Sequence, residues 1–64
     1  MREMLLTKHE VAERLGLSPE TVSRMARRGE LPSRMVAGRY RFDPDEIQEW
    51  LDRQRVPARA GDEQ

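Results

Sequence analysis

Apolar residues recur at helical spacing in three stretches of this chain and alternate with polar ones in a fourth. Val11, Ala12 and Leu15 form one helical face, Val22, Met25 and Ala26 a second, and Ile47, Trp50 and Leu51 a third. Between the last two, Arg34-Met35-Val36 and Arg39-Tyr40-Arg41-Phe42 flank Ala37-Gly38. Alternation sends Tyr40 and Phe42 to one side of that ribbon and Arg39 and Arg41 to the other. The pattern predicts helices over about Lys8 to Leu15 and Pro19 to Arg28, a short hairpin turning at Gly38, and a third helix from Asp43-Pro44. Phe42, Ile47 and Trp50 are assigned to the core.

The punctuation agrees with the periodicity. Thr7 and Glu10 are spaced as a capping box, in which each side chain satisfies a backbone N–H at the start of a helix. Leu5 or Leu6, just before it, is placed to staple the chain beneath that helix. Gly16 supplies a left-handed stop, and Ser18-Pro19 reopens a helix with serine as N-cap and proline in the first turn. Gly29 closes the second helix and Leu31-Pro32 leads away from it. Asp43 through Glu46 reads as a second capping box, and Glu49 to Arg53 as a favourable pair one turn apart. Helix, turn, helix, two-stranded wing, helix is a mainly α fold, a small winged helix-turn-helix. It occupies residues 1–55. From Val56 the pattern dissolves into Pro57, Gly61 and acids, so 56–64 is expected to be a disordered tail.

At 64 residues the chain has room for one domain with a thin core, since a chain of that size buries only about 60% of its unfolded surface. It has no cysteine, which removes disulfides and thiolate zinc sites. His9 is the sole histidine and no glycine-rich phosphate loop is present, so neither a catalytic base, a metal site nor a cofactor is indicated. The expected protein is not an enzyme. Nothing has the length and apolarity of a membrane span or signal peptide, so the location expected by default is the cytoplasm, at the nucleoid if the partner is DNA.

Charge changes the picture by its distribution. The formal net charge is zero, yet residues 24–41 hold Arg24, Arg27, Arg28, Arg34, Arg39 and Arg41 against Glu30 alone. Residues 42–55 reverse that balance, with five acids against Arg53 and Arg55. A basic centre between acidic flanks suits one polyanion-facing side. On a helical wheel Glu20, Arg24 and Arg27 of the second helix point away from the core, with Thr21, Ser23 and Arg28 on the shoulders. In a helix-turn-helix that outer face reaches base edges in the major groove. Arg24 has the planar fork for guanine O6 and N7. Glu20 is accounted for by the dipole of a first helical turn, with a contact to a cytosine amino group as the competing reading. Ser18, Thr21 and the amides at that helix start suit phosphate. Arg39 and Arg41 suit the backbone or the minor groove, and the Tyr40 hydroxyl suits a phosphate, with a place at the core edge as the equal competing reading.

The ordered set Leu5-Leu6-Thr7-Lys8-His9-Glu10-Val11-Ala12, Leu15-Gly16-Leu17-Ser18, Thr21-Val22, Arg28-Gly29-Glu30-Leu31-Pro32, Gly38-Arg39-Tyr40-Arg41-Phe42 and Glu49-Trp50-Leu51 resembles the excisionase-like, BldC-like branch of the MerR superfamily. The resemblance covers about residues 5–55. It implies a winged-helix DNA binder acting as an excisionase (a recombination directionality factor) or as a small transcription regulator. It also implies DNA contacts at Thr21, Ser23, Arg24, Arg27, Arg39 and Arg41. Two departures stand out. Ser23 occupies a position where many relatives have an aromatic residue, and Ala37-Gly38 stands where Gly-Gly is common. Full-length MerR regulators carry a dimerisation helix and an effector domain, both expected to be lacking here.

The partner expected is double-stranded DNA, with an integrase or recombinase as a further partner in the excisionase role. The free protein is expected to be monomeric. On direct repeats, neighbouring copies would assemble head to tail, with Arg34 against acids such as Asp45 or Glu49 of the next copy. The competing class is a protein-interaction adaptor that docks an acidic partner protein, to which the neutral net charge gives weight.

Overall fold

Three cap-delimited helices and one tight hairpin set the architecture, and each begins where its polar punctuation stands. The computed structural model describes residues 5–55. In α1 (Lys8–Leu15) the Thr7 hydroxyl accepts from the Glu10 N–H at 3.2 Å while the Glu10 carboxylate accepts from the Thr7 N–H at 2.8 Å, closing the expected box. Gly16, at φ 72°, ends it, and the Leu17 N–H reaches back to the Ala12 carbonyl at 2.9 Å. In α2 (Pro19–Arg27) Ser18 is the N-cap. Its exit uses the same left-handed device: Gly29 has φ 75° and the Glu30 N–H donates to the Met25 carbonyl at 2.8 Å. The helix stops one residue short of the expected end, within the usual fraying of helix termini. The tail expected over 56–64 lies outside the described residues.

The wing is β1 (Arg34–Val36) paired antiparallel with β2 (Arg39–Arg41), Met35 standing opposite Tyr40. Its two-residue turn has positive φ at both positions, 52° at Ala37 and 79° at Gly38. That is the primed geometry whose twist matches a hairpin, and it loads a left-handed conformation onto an alanine as well as the glycine. The strand pairing continues past β2: Leu6 and Phe42 exchange both backbone hydrogen bonds, at 2.7 and 2.9 Å. The lead-in to α1 is thus stitched to the base of the wing, while the half-buried Leu6 side chain packs on the core.

The core is made of Val11, Ala12, Val22, Ala26, Leu31, Phe42 and Ile47, so both helices of the helix-turn-helix, the wing and α3 (Pro44–Arg53) all contribute. Phe42 is fully buried and is the only aromatic among these. Trp50, expected in the core, is instead half-buried and packs against its edge. The reason is chemical. An indole N–H needs an acceptor, and the Trp50 Nε1 donates to the Glu30 carbonyl at 2.9 Å, pinning α3 to the exit of α2. Leu51, expected in the apolar stripe of α3, is exposed.

Two further expectations for α3 are corrected. Asp43 caps the helix, accepting from the Asp45 and Glu46 N–H groups, but Glu46 does not return to close a second box. Its carboxylate turns to Arg34 of β1. Glu49 and Arg53 form no ion pair among the described residues; the side-chain link along that helix is Gln48 to Asp52, at 3.2 Å.

Candidate nucleic-acid interface

Amphipathic α2 buries Val22 and Ala26 and leaves Glu20, Arg24, Arg27 and Arg28 exposed, with Thr21 and Ser23 half-buried on the shoulders. The exposed face carries a row of linked side chains that starts at the N-cap and ends in the last turn. Ser18 Oγ and Thr21 Oγ1 lie 2.9 Å apart, and an Arg24 Nη2 N–H donates to Thr21 Oγ1 at 3.3 Å. Helical spacing of three residues creates this row. It lays the Arg24 guanidinium along the helix toward its N-terminus, and the other guanidinium N–H groups have no protein partner among the described residues. Ser18 is already engaged as the N-cap, its Oγ accepting from the Thr21 N–H at 3.2 Å.

The C-terminal arginines differ. Arg27 is exposed, whereas Arg28 sits 3.7 Å from the Glu30 carboxylate in an exposed pair of small energetic value. On the wing Arg39 is exposed and Tyr40 half-buried against the core edge. Arg41 is half-buried, donating from Nη1 to the Tyr40 carbonyl at 3.0 Å.

Ser23, Arg39, Tyr40 and Arg41 meet at a cleft of about 390 Å³. Gly38 of the turn and the start of α1, Thr7 with Lys8 and His9, complete its lining. The structure therefore joins the α2 shoulder to the wing, with Tyr40 lining the cleft beside Arg39 and Arg41 although alternation sends it to the other side of the ribbon, and adds two residues that sequence reasoning left without a role. No linear signal marks Lys8 or His9. They reach the wing only because the Leu6–Phe42 bridge draws the start of α1 against it. Ser18, at the N-cap, and Thr21 and Arg24 on α2 lie outside the cleft lining.

Arg34 is the residue whose expected role the structure changes. Rather than standing free for a neighbouring copy, it pairs with Glu46 at 2.9 Å and lies 3.8 Å from Asp43 of its own chain. The cause is register. Arg34 stands directly opposite Arg41 across the hairpin, and like charges so placed repel. The acids at the start of α3 draw Arg34 aside.

Among the described residues no group of three or more His, Cys, Asp or Glu side chains is arranged to hold a metal ion, and no helix is long and apolar enough to cross a membrane. Residues 5–55 match the helix-turn-helix domain family, and the chain belongs to that family. The membership supports DNA binding through the helix-turn-helix. Neither a curated protein nor a solved structure matched the chain.

Proposed function

We propose that this member of the helix-turn-helix domain family binds duplex DNA sequence-specifically, with α2 in the major groove and the wing on the flanking backbone or minor groove. The observation that carries the reading is the row Ser18–Thr21–Arg24. It draws the guanidinium of Arg24, a residue of the last turn, back along an exposed helical face toward the N-terminal half, where base edges are met. Arg24 reads guanine; Thr21, Ser23 and Arg27 border it, with Ser18 and Arg28 at the two ends of the helix. Arg39, Tyr40 and Arg41 act on the backbone or the minor groove. Phosphate contacts supply most of the affinity and base contacts the selectivity.

The biological role we assign is that of the MerR-like, excisionase-like branch: a recombination directionality factor working beside an integrase, or a small transcription regulator, at the nucleoid. Both roles use one interface and differ in the sites occupied. What supports this assignment is the motif set over residues 5–55, together with the family match over the same span. Cooperative head-to-tail binding on direct repeats belongs to the same proposal, now without Arg34 as its contact.

Gel shift against genomic fragments at low salt, followed by footprinting, tests the function. A footprint repeating in one orientation supports the proposal. Absence of binding at low salt would favour the adaptor that docks a partner protein.

A further inference from the structure

We propose that the cleft between the start of α1 and the wing seats a backbone phosphate of the bound duplex, and that Lys8 and His9 are DNA contacts. The inference rests on the DNA-binding reading and extends it to a part of the chain outside α2 and the wing. Chemistry comes first. The cleft is lined by Lys8, His9, Arg39, Arg41 and the hydroxyl-bearing Thr7, Ser23 and Tyr40, with Gly38 of the turn, and no carboxylate lies in its lining. Ammonium, guanidinium and hydroxyl donors converging without an acid are a donor set for an anion with several acceptor oxygens. The ion pairs among the described residues, Arg28 with Glu30 and Arg34 with Asp43 and Glu46, involve none of these side chains.

Position selects the duplex as the source of that anion. Ser23 forms one wall of the cleft and also stands on the shoulder of the exposed α2 face. With α2 in a major groove roughly 12 Å wide, a bordering sugar–phosphate strand passes beside the helix shoulder. The wing and the start of α1 stand on that flank. The walls are held in place before DNA arrives. Leu6 and Phe42 fix α1 against the wing, the Thr7–Glu10 box fixes the first turn, and the Tyr40 carbonyl anchors Arg41. A phosphate entering such a seat meets oriented donors and leaves little ordering to be done.

Lys8→Gln keeps a helix-compatible side chain and removes one charge, and an unchanged thermal melt checks that the fold survives. Its binding is measured on duplexes in which single phosphates across the footprint are replaced, one at a time, by neutral methylphosphonates. Wild-type protein should be sensitive to one phosphate at the α2 flank. Lys8→Gln should bind roughly eightfold more weakly at about 0.1 M salt, with a salt slope shallower by about 0.9 and base preference unaltered. Combined with that methylphosphonate, Lys8→Gln should cost little more than either change alone. His9→Ala should likewise blunt sensitivity to that phosphate. Wild-type affinity and slope in Lys8→Gln, or full additivity with every methylphosphonate, would overturn the seat while leaving DNA binding intact. Failure of the wild-type protein to bind duplex DNA would sink both readings. Saturation of the free protein by inorganic phosphate below about 1 mM, followed by chemical shifts of the cleft residues, would mark a small-anion site and refute the assignment to the duplex.

Discussion

The Arg34 guanidinium grips the Glu46 carboxylate of its own chain at both ends, Nη1 to Oε1 at 3.2 Å and Nη2 to Oε2 at 2.9 Å. The pair links β1 to the first turn of α3, while Arg41, its cross-strand neighbour, donates instead to the Tyr40 carbonyl. An arginine that the charge pattern marks for a polyanion or a second molecule is thereby spent on orienting the wing.

Because both partners are substantially exposed, Arg34→Ala should lower stability by only about 0.2–1 kcal/mol, the range for surface pairs. A double-mutant cycle with Glu46→Gln in urea unfolding should return a coupling of that size. On tandem sites, Arg34→Ala should leave cooperativity as it is. A selective loss of cooperativity would restore Arg34 to a contact between copies.

Arg24→Ala should weaken specific binding by ~1–3 kcal/mol and relax the preference at one base position. Arg39→Ala and Arg41→Ala should instead weaken binding to all sequences alike. Competition binding against a library of single-base variants separates the two patterns. Equal loss on specific and random DNA would show that Arg24 touches phosphate.

With four to six cationic contacts to phosphate, log K against log salt should fall with a slope of roughly −4 to −5 for each bound monomer. Titrations between about 50 and 200 mM salt measure it directly. A slope near zero would remove the electrostatic basis of the interface despite its arginines.

Phe42→Ala should remove ~3–5 kcal/mol, most of what a chain of 64 residues is expected to have. Trp50→Phe should cost much less, about 0.5–1.5 kcal/mol for the hydrogen bond to the Glu30 carbonyl. Thermal and urea melts followed by circular dichroism rank the two. A larger penalty at Trp50 would place the energetic centre on α3 rather than at the foot of the wing.

Ala37→Gly should stabilise the protein by about 1 kcal/mol, since a left-handed φ of 52° costs an alanine ~1–2 kcal/mol that glycine does not incur, less the entropy glycine loses on folding. Ala37→Val should destabilise it for the same reason. Paired urea curves decide the sign.

The local elements were legible in the sequence because short-range chemistry encodes them. Thr7, Ser18 and Asp43 cap the three helices as their spacing predicts, and Gly16 and Gly29 end the first two. What escaped depends on contacts between residues far apart along the chain. Whether Glu46 folds back on its own helix start or crosses to β1 is settled by where Arg34 lies, and no window around Glu46 contains that information. Trp50 was overvalued for a related reason. Its apolar area argues for the centre, and its N–H for an edge with a carbonyl within reach. On the candidate interface, the α2 face was readable from the wheel, whereas Lys8 and His9 enter only through the Leu6–Phe42 bridge.

That bridge also divides the wing mechanically. Phe42 contributes a buried side chain and two backbone hydrogen bonds at one position, so the foot of the wing cannot fray without uncovering the hydrophobic interior. Its tip has no such tether: Met35 is 60% and Val36 43% exposed, and the turn carries a strained alanine. Opening at the foot is tied to global unfolding, while opening at the tip is a local and inexpensive event. The wing therefore acts as a cantilever, stiff at its root and compliant at its end. In the proposed complex such a wing would follow the varying width of a groove without changing the angle at which α2 is presented.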